Sequence, residues 1–294
     1  MSINTLATAQ KFTGELDKLF VAKAATGFML DNAFRAKFVG AQTVLIPNLD
    51  MVGLADYDRD TGFAQGGITV AHESYTLTKD RGRQLQIDRE DMDETGVSNL
   101  AGQVLGEFVR TKVVPECDAY VLSKLAGIAN TKGHKKDYAA DGVYAGLTEI
   151  INNVQNVVGF DEELVAFVDA TMYAAIQNSS EIQKRIVVSD FKQGDVNLKV
   201  KTLNGVALIP VPDSRMKSEY TFAENGFTPT ETAKNVRAIV LPKKGCHLVK
   251  KTETMRIFTP EQNKDADAYV FNYRLYYDAF VKKSGMDAIW TIVG

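Results

Sequence analysis

The chain has 294 residues, of which 45% are hydrophobic and 24% are charged. This balance excludes a disordered or fibrous chain and supports one large domain or two closely packed ones. The formal net charge of −3 lacks the basic excess of proteins that bind nucleic acid tightly, so only loose contact with nucleic acid stays open. Cys117 and Cys246 form no CxxC pair, which indicates free thiols from a reducing compartment. We expect neither a membrane span nor a secretory signal, because no apolar run is long enough for either.

The first 41 residues carry a thin helical stripe of apolar side chains that includes Phe12 and Phe20. An isolated helix of this kind is marginal in water and needs a partner surface. Two interpretations stay open: a surface helix packed on its own domain, or an arm that lies on a neighbouring subunit.

Residues 43–88 have the pattern of a long hairpin. The first strand is predicted at 43–54 and the second at 68–88, and the tip between them, 56–67, is rich in glycine and aspartate. Along the second strand the apolar positions change from even to odd numbers, which predicts a bulge or a twist. Because both faces carry polar residues, the hairpin cannot bury much surface against its own domain and is expected to project.

The tip of this hairpin carries three large side chains, Tyr57, Arg59 and Phe63, on an otherwise flexible loop. Side chains of these types often anchor protein interfaces. Together with Phe12 and Phe20 they are the candidate contacts with a neighbouring molecule.

A long helix follows the hairpin. Five of the seven residues 88–94 are carboxylates, and acidic groups before a helix favour its dipole. Helical spacing then predicts a helix over about 99–129, roughly 45 Å long at 1.5 Å per residue. Pro115 lies inside this helix, where it removes one hydrogen bond and crowds the carbonyl of Thr111, so we expect a kink.

A compact mixed region comes next. An amphipathic helix at 147–158 stops at Gly159, and a buried strand at 164–168 and a short helix at 171–177 follow.

Asn204 and Gly205 form a strong hairpin-turn signal between predicted strands at 196–203 and 206–211. Pro210, within the second of these strands, limits it to a sheet edge or an exit.

The last quarter of the chain returns to strands, predicted at 236–241, 247–258 and 269–281. The third has seven alternate apolar positions in a row and would span about 40 Å at 3.3 Å per residue, which is unusually long.

No group of residues carries a specific catalytic or metal-binding signature. Asp56, Asp58 and Asp60 recur every second residue but lack the glycine and the bidentate glutamate of a calcium loop. Cys246 beside His247 is a poor chelate, because adjacent strand residues point to opposite faces. We therefore expect no catalytic residue, no metal and no cofactor, and a structural protein rather than an enzyme.

Two charged clusters leave alternatives open. The carboxylates of 88–94 fit a charged helix entry, or else a magnesium or hydrolase site. A basic cluster fits a solvated strand face, or else a contact with an acidic neighbour or DNA phosphates; it comprises Lys243, Lys244, Lys250, Lys251 and Arg256.

The order of these elements resembles the major capsid proteins of tailed bacteriophages with the Hong Kong 97-like fold. Residues 77–95 resemble the end of the extended loop and the entry to the spine helix, and residues 113–125 resemble the spine helix itself. Residues 203–216 resemble a hairpin of the axial domain, and residues 273–281 resemble the long strand of the peripheral domain.

The resemblance implies an α+β fold with an N-terminal arm, an extended β-hairpin loop, a peripheral domain that contains the spine helix, and an axial domain. The implied boundaries are 1–41 for the arm, 42–88 for the loop, 89–139 and 236–294 for the peripheral domain, and 140–235 for the axial domain.

The resemblance also implies a function. Subunits of this kind form the hexamers and pentamers of an icosahedral shell that encloses phage double-stranded DNA. The implied partners are other copies of the chain, a separate scaffolding protein, a portal and, loosely, the packaged DNA. Assembly in the cytoplasm of the bacterial host, a place in the virion capsid, and flexing of the spine helix at Pro115 during shell expansion are further expectations.

Two alternatives remain at this point. The first is the shell of an encapsulin-like nanocompartment, which has the same fold and stores a cargo enzyme. The second is a soluble metal-dependent hydrolase that uses the carboxylates of 88–94.

Overall fold

A computed structural model of the chain describes residues 20, 23–30, 37–40, 42–60, 62–90, 100–179, 186–193 and 196–294. Within them the helices are α1 (Leu100–Phe108), α2 (Val114–Lys132), α3 (Val143–Val158) and α4 (Ala170–Asn178). The strands of the same residues are β1 (Lys37–Val39), β2 (Thr43–Met51), β3 (Ile68–Thr76), β4 (Lys79–Asp88), β5 (Lys135–Asp137), β6 (Leu164–Asp169), β7 (Ile186–Gln193), β8 (Val196–Leu203), β9 (Val206–Val211), β10 (Tyr220–Ala223), β11 (Gly226–Pro229), β12 (Val236–Pro242), β13 (Cys246–Phe258), β14 (Ala268–Val281) and β15 (Trp290–Val293). No helix in these ranges is both long and apolar enough to cross a membrane.

The larger sheet has the strand order β5-β15-β12-β6-β9-β8-β7 in the described ranges. Its strand β6 is buried at every position, because both faces are covered. Val165 and Phe167 belong to the main core, whereas Ala166 and Val168 pack on the other face against α3 and α4. The predicted helix–strand–helix order of this region is confirmed, and α3 ends at Gly159, whose φ of +90° suits glycine.

The hairpin turn between β8 and β9 is confirmed, with Asn204 and Gly205 at φ values of +52° and +83°. Of the two positions predicted for β9, a sheet edge or an exit, the edge is wrong, because β9 lies between β6 and β8. Pro210 is tolerated there because the ladder to β8 ends at Leu208, so the strand beside Pro210 pairs with β6 alone.

The boundary between the axial and peripheral domains that the resemblance implies, at residue 236, would separate strands of this larger sheet. β12 and β15, assigned from the sequence to the peripheral domain, pair with each other, and β12 pairs with β6. This pairing favours grouping β12 and β15 with the strands of 140–235, whereas the implied domain boundaries themselves stay a prediction. Strand pairing joins segments far apart in the chain, which periodicity within one segment cannot show.

The smaller sheet that carries the longest strands has the order β13-β14-β4. β14 runs for 14 residues in its centre, which confirms the long strand predicted at 269–281. β13 is a single strand with one irregularity between Lys250 and Thr252.

The long helix predicted beside this sheet is present, and its irregularity lies just before the proline. α1 passes into a π-helical turn at Val109–Val113, and α2 starts at once with Pro115 in its first turn. The Val114 N–H donates to the Val109 carbonyl, which is the wider spacing of a π turn. A π turn absorbs the hydrogen bond that proline cannot make, and such turns are a known cause of helix bends.

The described part of the N-terminal segment packs into its own chain. Phe28 and Met29 are buried in the main core, and the Thr26 hydroxyl donates to the buried carboxylate of Asp118 at 2.7 Å. Arg215 donates to the same carboxylate at 3.0 Å. Of the two interpretations of the N-terminal segment, packing on its own chain therefore holds for these residues, rather than packing on a neighbouring subunit.

Candidate functional site: the projecting hairpin

The hairpin is a two-stranded ribbon whose base is packed and whose outer part is not. β2 and β3 pair from Thr43 opposite Thr76 to Met51 opposite Ile68, and the short β1 flanks the base of β2. The second strand was predicted to be continuous with a bulge or a twist. Instead it breaks at Leu77, and β4 leaves the ribbon to pair with β14.

One face of the hairpin base is apolar and buried in its own chain. Val44 and Ile46 pack with Leu77 against Val249 and Phe280 of the β13–β14 ladder. These side chains are almost inaccessible to solvent. Full burial of a side chain of this size stabilises the fold by about 1.5–3 kcal/mol, so the base is firmly attached.

A buried carboxylate holds the elbow between β3 and β4. The backbone N–H and the hydroxyl of Thr78 each donate to Asp278 Oδ2 at 2.9 Å. The Tyr120 hydroxyl donates to Oδ1 at 2.7 Å, and the Lys124 ammonium lies 2.6 Å from the same atom. Burial raises the pKa of Tyr120, so its phenol remains a donor at neutral pH. The carboxylate is fully buried and satisfied, which fixes the direction in which the hairpin leaves the body.

A second polar contact ties β3 to the end of β14. The Tyr75 hydroxyl is hydrogen-bonded to the Glu73 carboxylate and lies 3.1 Å from the Val281 carbonyl oxygen. The Tyr75 ring also packs on Phe280, with 5.0 Å between the ring centroids. Burial, followed by the Glu73 carboxylate, raises the pKa of Tyr75.

Beyond the base, the apolar side chains lie on the opposite face of the ribbon. Met51 and Ile68 are directly opposite each other, and Val70 follows two residues on, so all three share a face. That face is opposite to the face of Val44 and Ile46, because the two sets differ by one residue in register. Met51, Ile68 and Val70 are 66%, 68% and 60% exposed.

The tip carries further exposed apolar side chains. The rings of Tyr57 and Phe63 meet edge to face with 4.9 Å between centroids, yet remain 60% and 88% exposed. Backbone hydrogen bonds between Asp58 and Gly62 close the loop beneath them. Arg59, the third predicted residue of the tip, is also exposed. The three predicted tip residues thus lie in one exposed loop at the end of the ribbon, and two of them are in contact.

The two candidate contacts of the N-terminal segment are Phe12 and Phe20. Phe12 lies outside the described residues. Phe20 is fully buried in the main core of its own chain, and the Lys250 ammonium lies 4.0 Å from its ring centroid. A side chain without exposed surface cannot supply a contact with another molecule, so Phe20 is removed from the set.

Where the structure describes them, the charged clusters form no evident chemical site. No group of three or more histidine, cysteine or acidic residues in the described ranges is arranged to hold a metal ion. Most of the 88–94 cluster lies outside those ranges. The basic cluster is divided among separate contacts: Lys243 with Glu163 at 2.7 Å, and Lys250 with Glu253 at 2.9 Å.

Sequence reasoning missed Thr78, Tyr120 and Asp278, the residues that hold the elbow. They lie 42 to 200 positions apart and share no local pattern. The one available signal is an aspartate among alternating apolar residues in the longest strand, where a charge needs a buried partner.

No protein-family model and no curated protein matches this sequence. Solved structures do match it. A structure from Gordonia phage Cozz is 12% identical, with a TM-score of 0.60, over 91% of this chain and 86% of that one. The capsid structure of the cyanophage P-SCSP1u is 13% identical, with a TM-score of 0.58, over 88% and 85% of the two chains. A virus-like particle from Pyrococcus furiosus is 11% identical, with a TM-score of 0.52, over 96% and 98%.

The chain has the fold of a phage major capsid protein. The resemblance to the Hong Kong 97-like fold drawn from the sequence is therefore confirmed at the level of the fold. The similarity extends over most of both chains, so it includes the body of the protein and not a single shared motif.

Proposed function

We propose that this protein is the major capsid subunit of a tailed phage and assembles into the hexamers and pentamers of an icosahedral shell around double-stranded DNA. The observation that carries the proposal is the hairpin. The apolar face of its base is buried against its own chain, and the apolar face of its outer part is exposed to solvent. A monomer gains nothing from this outer face, whereas a neighbouring copy that covers it removes apolar area from water. The fold shared with phage capsid structures supports the same role.

The function is mechanical, not enzymatic. Each subunit offers a hairpin to one neighbour and accepts one from another, so weak single contacts add up around a closed ring. The partners remain as the resemblance implies: other copies of the chain, a separate scaffolding protein, a portal, and the packaged DNA in loose contact. The place of the protein is the virion capsid, after assembly in the host cytoplasm.

The long helix is the proposed flexible element during shell expansion. The π-helical turn directly before Pro115 supports a bend at this point, because it already departs from regular α-helical pairing. Shells built from the Pro115→Ala variant are expected to expand at an altered rate. Expansion at the normal rate would show that the proline has no such role.

Electron microscopy of the purified protein, alone and with a scaffolding protein, tests the proposal through a triple substitution. Met51→Ser, Ile68→Ser and Val70→Ser on the open face are expected to abolish particles and leave the subunit folded. Thr69→Ser with Ala71→Ser is the matched control, because these exposed residues lie on the other face of the same strand. Normal particles from the triple variant would contradict the proposal.

The tip provides a second test of the same proposal. Alanine at Tyr57, Arg59 and Phe63 is expected to block assembly, with an unchanged thermal unfolding curve. Intact particles from this variant would exclude the tip as an essential contact.

A nanocompartment shell is the second candidate function. The match to the Pyrococcus furiosus virus-like particle, over nearly the full length of both chains, favours it. Particles recovered from the native source distinguish the two. A capsid is expected to contain DNA of uniform length and a portal, whereas a compartment is expected to contain a cargo enzyme.

A further inference from the structure

A cavity of about 350 Å³ opens between the long helix, the β4–β14 ladder and the turn from β10 to β11. Its volume lies at the lower end of the range of ligand pockets, roughly 300–1,000 Å³, and leaves room for a small molecule of one or two rings. A concave space of this size with an apolar interior and a few polar groups is the usual form of a small-molecule site.

The walls of the cavity are held together by hydrogen bonds that are already made in the single chain. Arg81 donates to both carboxylate oxygens of Glu116, at 2.7 and 3.3 Å, and so joins β4 to the long helix. Its guanidinium also donates to the Ala223 carbonyl at 2.7 Å, and Arg83 donates to the Glu224 carbonyl at 3.1 Å. The β10–β11 turn is thereby attached to β4. A site formed in advance costs a ligand little ordering entropy.

The floor of the cavity is apolar and partly aromatic. Leu85, Val113 and Leu275 line it together with the rings of Phe108 and Tyr273. These two rings meet edge to face, with 5.9 Å between their centroids. Aromatic rings prefer offset and edge-to-face contacts, so this floor favours a flat aromatic group over a flexible alkyl chain.

The most deeply buried polar groups that line the cavity are the Cys117 thiol and the Tyr277 hydroxyl, which are hydrogen-bonded to each other. Burial raises the pKa of both groups, so both are neutral at pH 7. A charged group of a ligand would lose its hydration here without gaining an opposite charge. The charge of a ligand is therefore expected at the opening and not at this end.

The opening of the cavity is basic. Arg83 and Lys112 are exposed there, and no carboxylate in the part of the chain that the structure describes forms an ion pair with either of them. The residues that line the cavity include three cations, counting Arg81, and two carboxylates, Glu116 and Glu224, a formal charge of +1. A single negative charge on a ligand would balance this excess.

We propose that the cavity binds a small aromatic monocarboxylate of one or two rings, with its rings on the apolar floor and its carboxylate at Arg83 and Lys112. The site is complete in one subunit, so it goes beyond the shell function and does not depend on assembly. Because its walls belong to the long helix, β4 and the β10–β11 turn, a bound ligand joins these three elements and stabilises the folded subunit.

Calorimetric titration of the full-length, unassembled subunit at pH 7 tests both parts of the ligand. The probes are naphthoate, naphthalenemethanol, which has the same rings without the charge, and decanoate, which has the charge without the rings. Naphthoate is expected to bind once per subunit and to raise the thermal unfolding temperature. The other two are expected to bind about tenfold more weakly or less. Binding of decanoate or naphthalenemethanol as tight as that of naphthoate would overturn the assignment.

Neutral variants of the opening test the place of the carboxylate. Arg83→Gln with Lys112→Gln is expected to weaken naphthoate about tenfold and to leave naphthalenemethanol unchanged, whereas a general disturbance of the cavity would weaken both. Lys244→Gln with Arg256→Gln is the matched control, because it removes the same charge from exposed residues that do not line the cavity. An equal loss of naphthoate affinity in the control would contradict the proposed contact.

A filled cavity tests the place of the rings. Leu85→Trp is expected to abolish naphthoate binding, and circular dichroism with thermal unfolding verifies that the variant is folded. Naphthoate binding that persists in this folded variant would overturn the inference. Loss of binding in the variant with Met51→Ser, Ile68→Ser and Val70→Ser would place the ligand on the hairpin instead and overturn it as well. None of these measurements uses particles, so a failure here leaves the proposed function intact, and a failure to form particles leaves the ligand site intact.

Discussion

The inner and outer halves of the same hairpin differ in almost every physical respect. The inner half buries Val44 and Ile46 in its own chain and is fastened at Thr78 by a buried carboxylate. The outer half places Met51 and Ile68 in solvent on the opposite face. Both halves belong to one continuous β2–β3 ladder, so the difference lies in which face is apolar and not in the backbone.

This difference shows how one ribbon serves two purposes. A rigid base fixes the direction of projection, and an open outer face then presents apolar surface to a partner at a defined place. Ordering the ribbon in advance lowers the conformational entropy lost on association. Substitutions in the inner half should therefore change the stability of the subunit, and substitutions in the outer half should change its assembly.

The largest expected effect is at the elbow. Asp278→Ala removes a buried carboxylate that accepts hydrogen bonds from Thr78, Tyr120 and the Ala279 backbone N–H and pairs with Lys124. We expect the free energy of unfolding to fall by about 3–5 kcal/mol, as for other broken buried pairs. Urea unfolding of the unassembled subunit measures this change.

The control for this substitution is Asp287→Asn. Asp287 pairs with Lys132 at 2.9 Å, but both side chains are largely exposed, so the change should stay below about 1 kcal/mol. Equal effects of the two substitutions would show that the elbow carboxylate does not hold the hairpin.

A matched pair of isoleucines separates the two halves most directly. Ile46→Ala, in the buried base, should lower the free energy of unfolding by about 2–4 kcal/mol, because it leaves a cavity. Ile68→Ala, in the exposed outer half, should change that free energy by no more than about 0.5 kcal/mol but lower the yield of particles. The comparison fails if Ile68→Ala destabilises the subunit as much as Ile46→Ala does.

A smaller effect is the loss of stability in acid that comes from His247 on β13, the strand whose Val249 packs against the hairpin base. Burial, followed by the charge of Lys282, lowers the pKa of His247 from 6.5 to about 4. The neutral imidazole is therefore favoured in the fold, and its stabilisation is complete above pH 6.5 and lost as the pH falls towards 4. Allowing for partial solvent screening, we expect a loss of about 2 kcal/mol.

Urea unfolding between pH 7 and pH 4 checks this sign and size. His247→Phe should flatten the decline relative to the unaltered chain, and His72→Phe, on the exposed face of β3, is the control. A parallel decline in all three chains would assign the acid sensitivity to other groups.

Much of the local structure could be predicted because it depends on near neighbours in sequence. The alternation of residues 269–281 predicts β14, Gly159 marks the end of α3, and Asn204-Gly205 sets the turn between β8 and β9. The tip residues could also be proposed, since large side chains on a polar loop are conspicuous.

The errors occur where one segment depends on another. Phe20 fits an exposed stripe by its spacing, but the core formed by distant strands covers it. Pro210 suggests an edge strand, but the ladder to β8 stops short of it. The switch of apolar face near Leu77 is visible in the sequence, but its meaning, a change of sheet partner, is not.

The sequence alone determined many of the elements, the long hairpin and the resemblance to phage capsid proteins, because periodicity, turn residues and composition act over short distances. Only the tertiary structure decided which face of the hairpin is covered, where Asp278 finds its donors, and that Arg83 and Lys112 border a cavity with an apolar floor. The physical reason is that burial and charge pairing depend on which distant segments meet in space, and this chain joins positions up to 200 residues apart at the elbow of the hairpin.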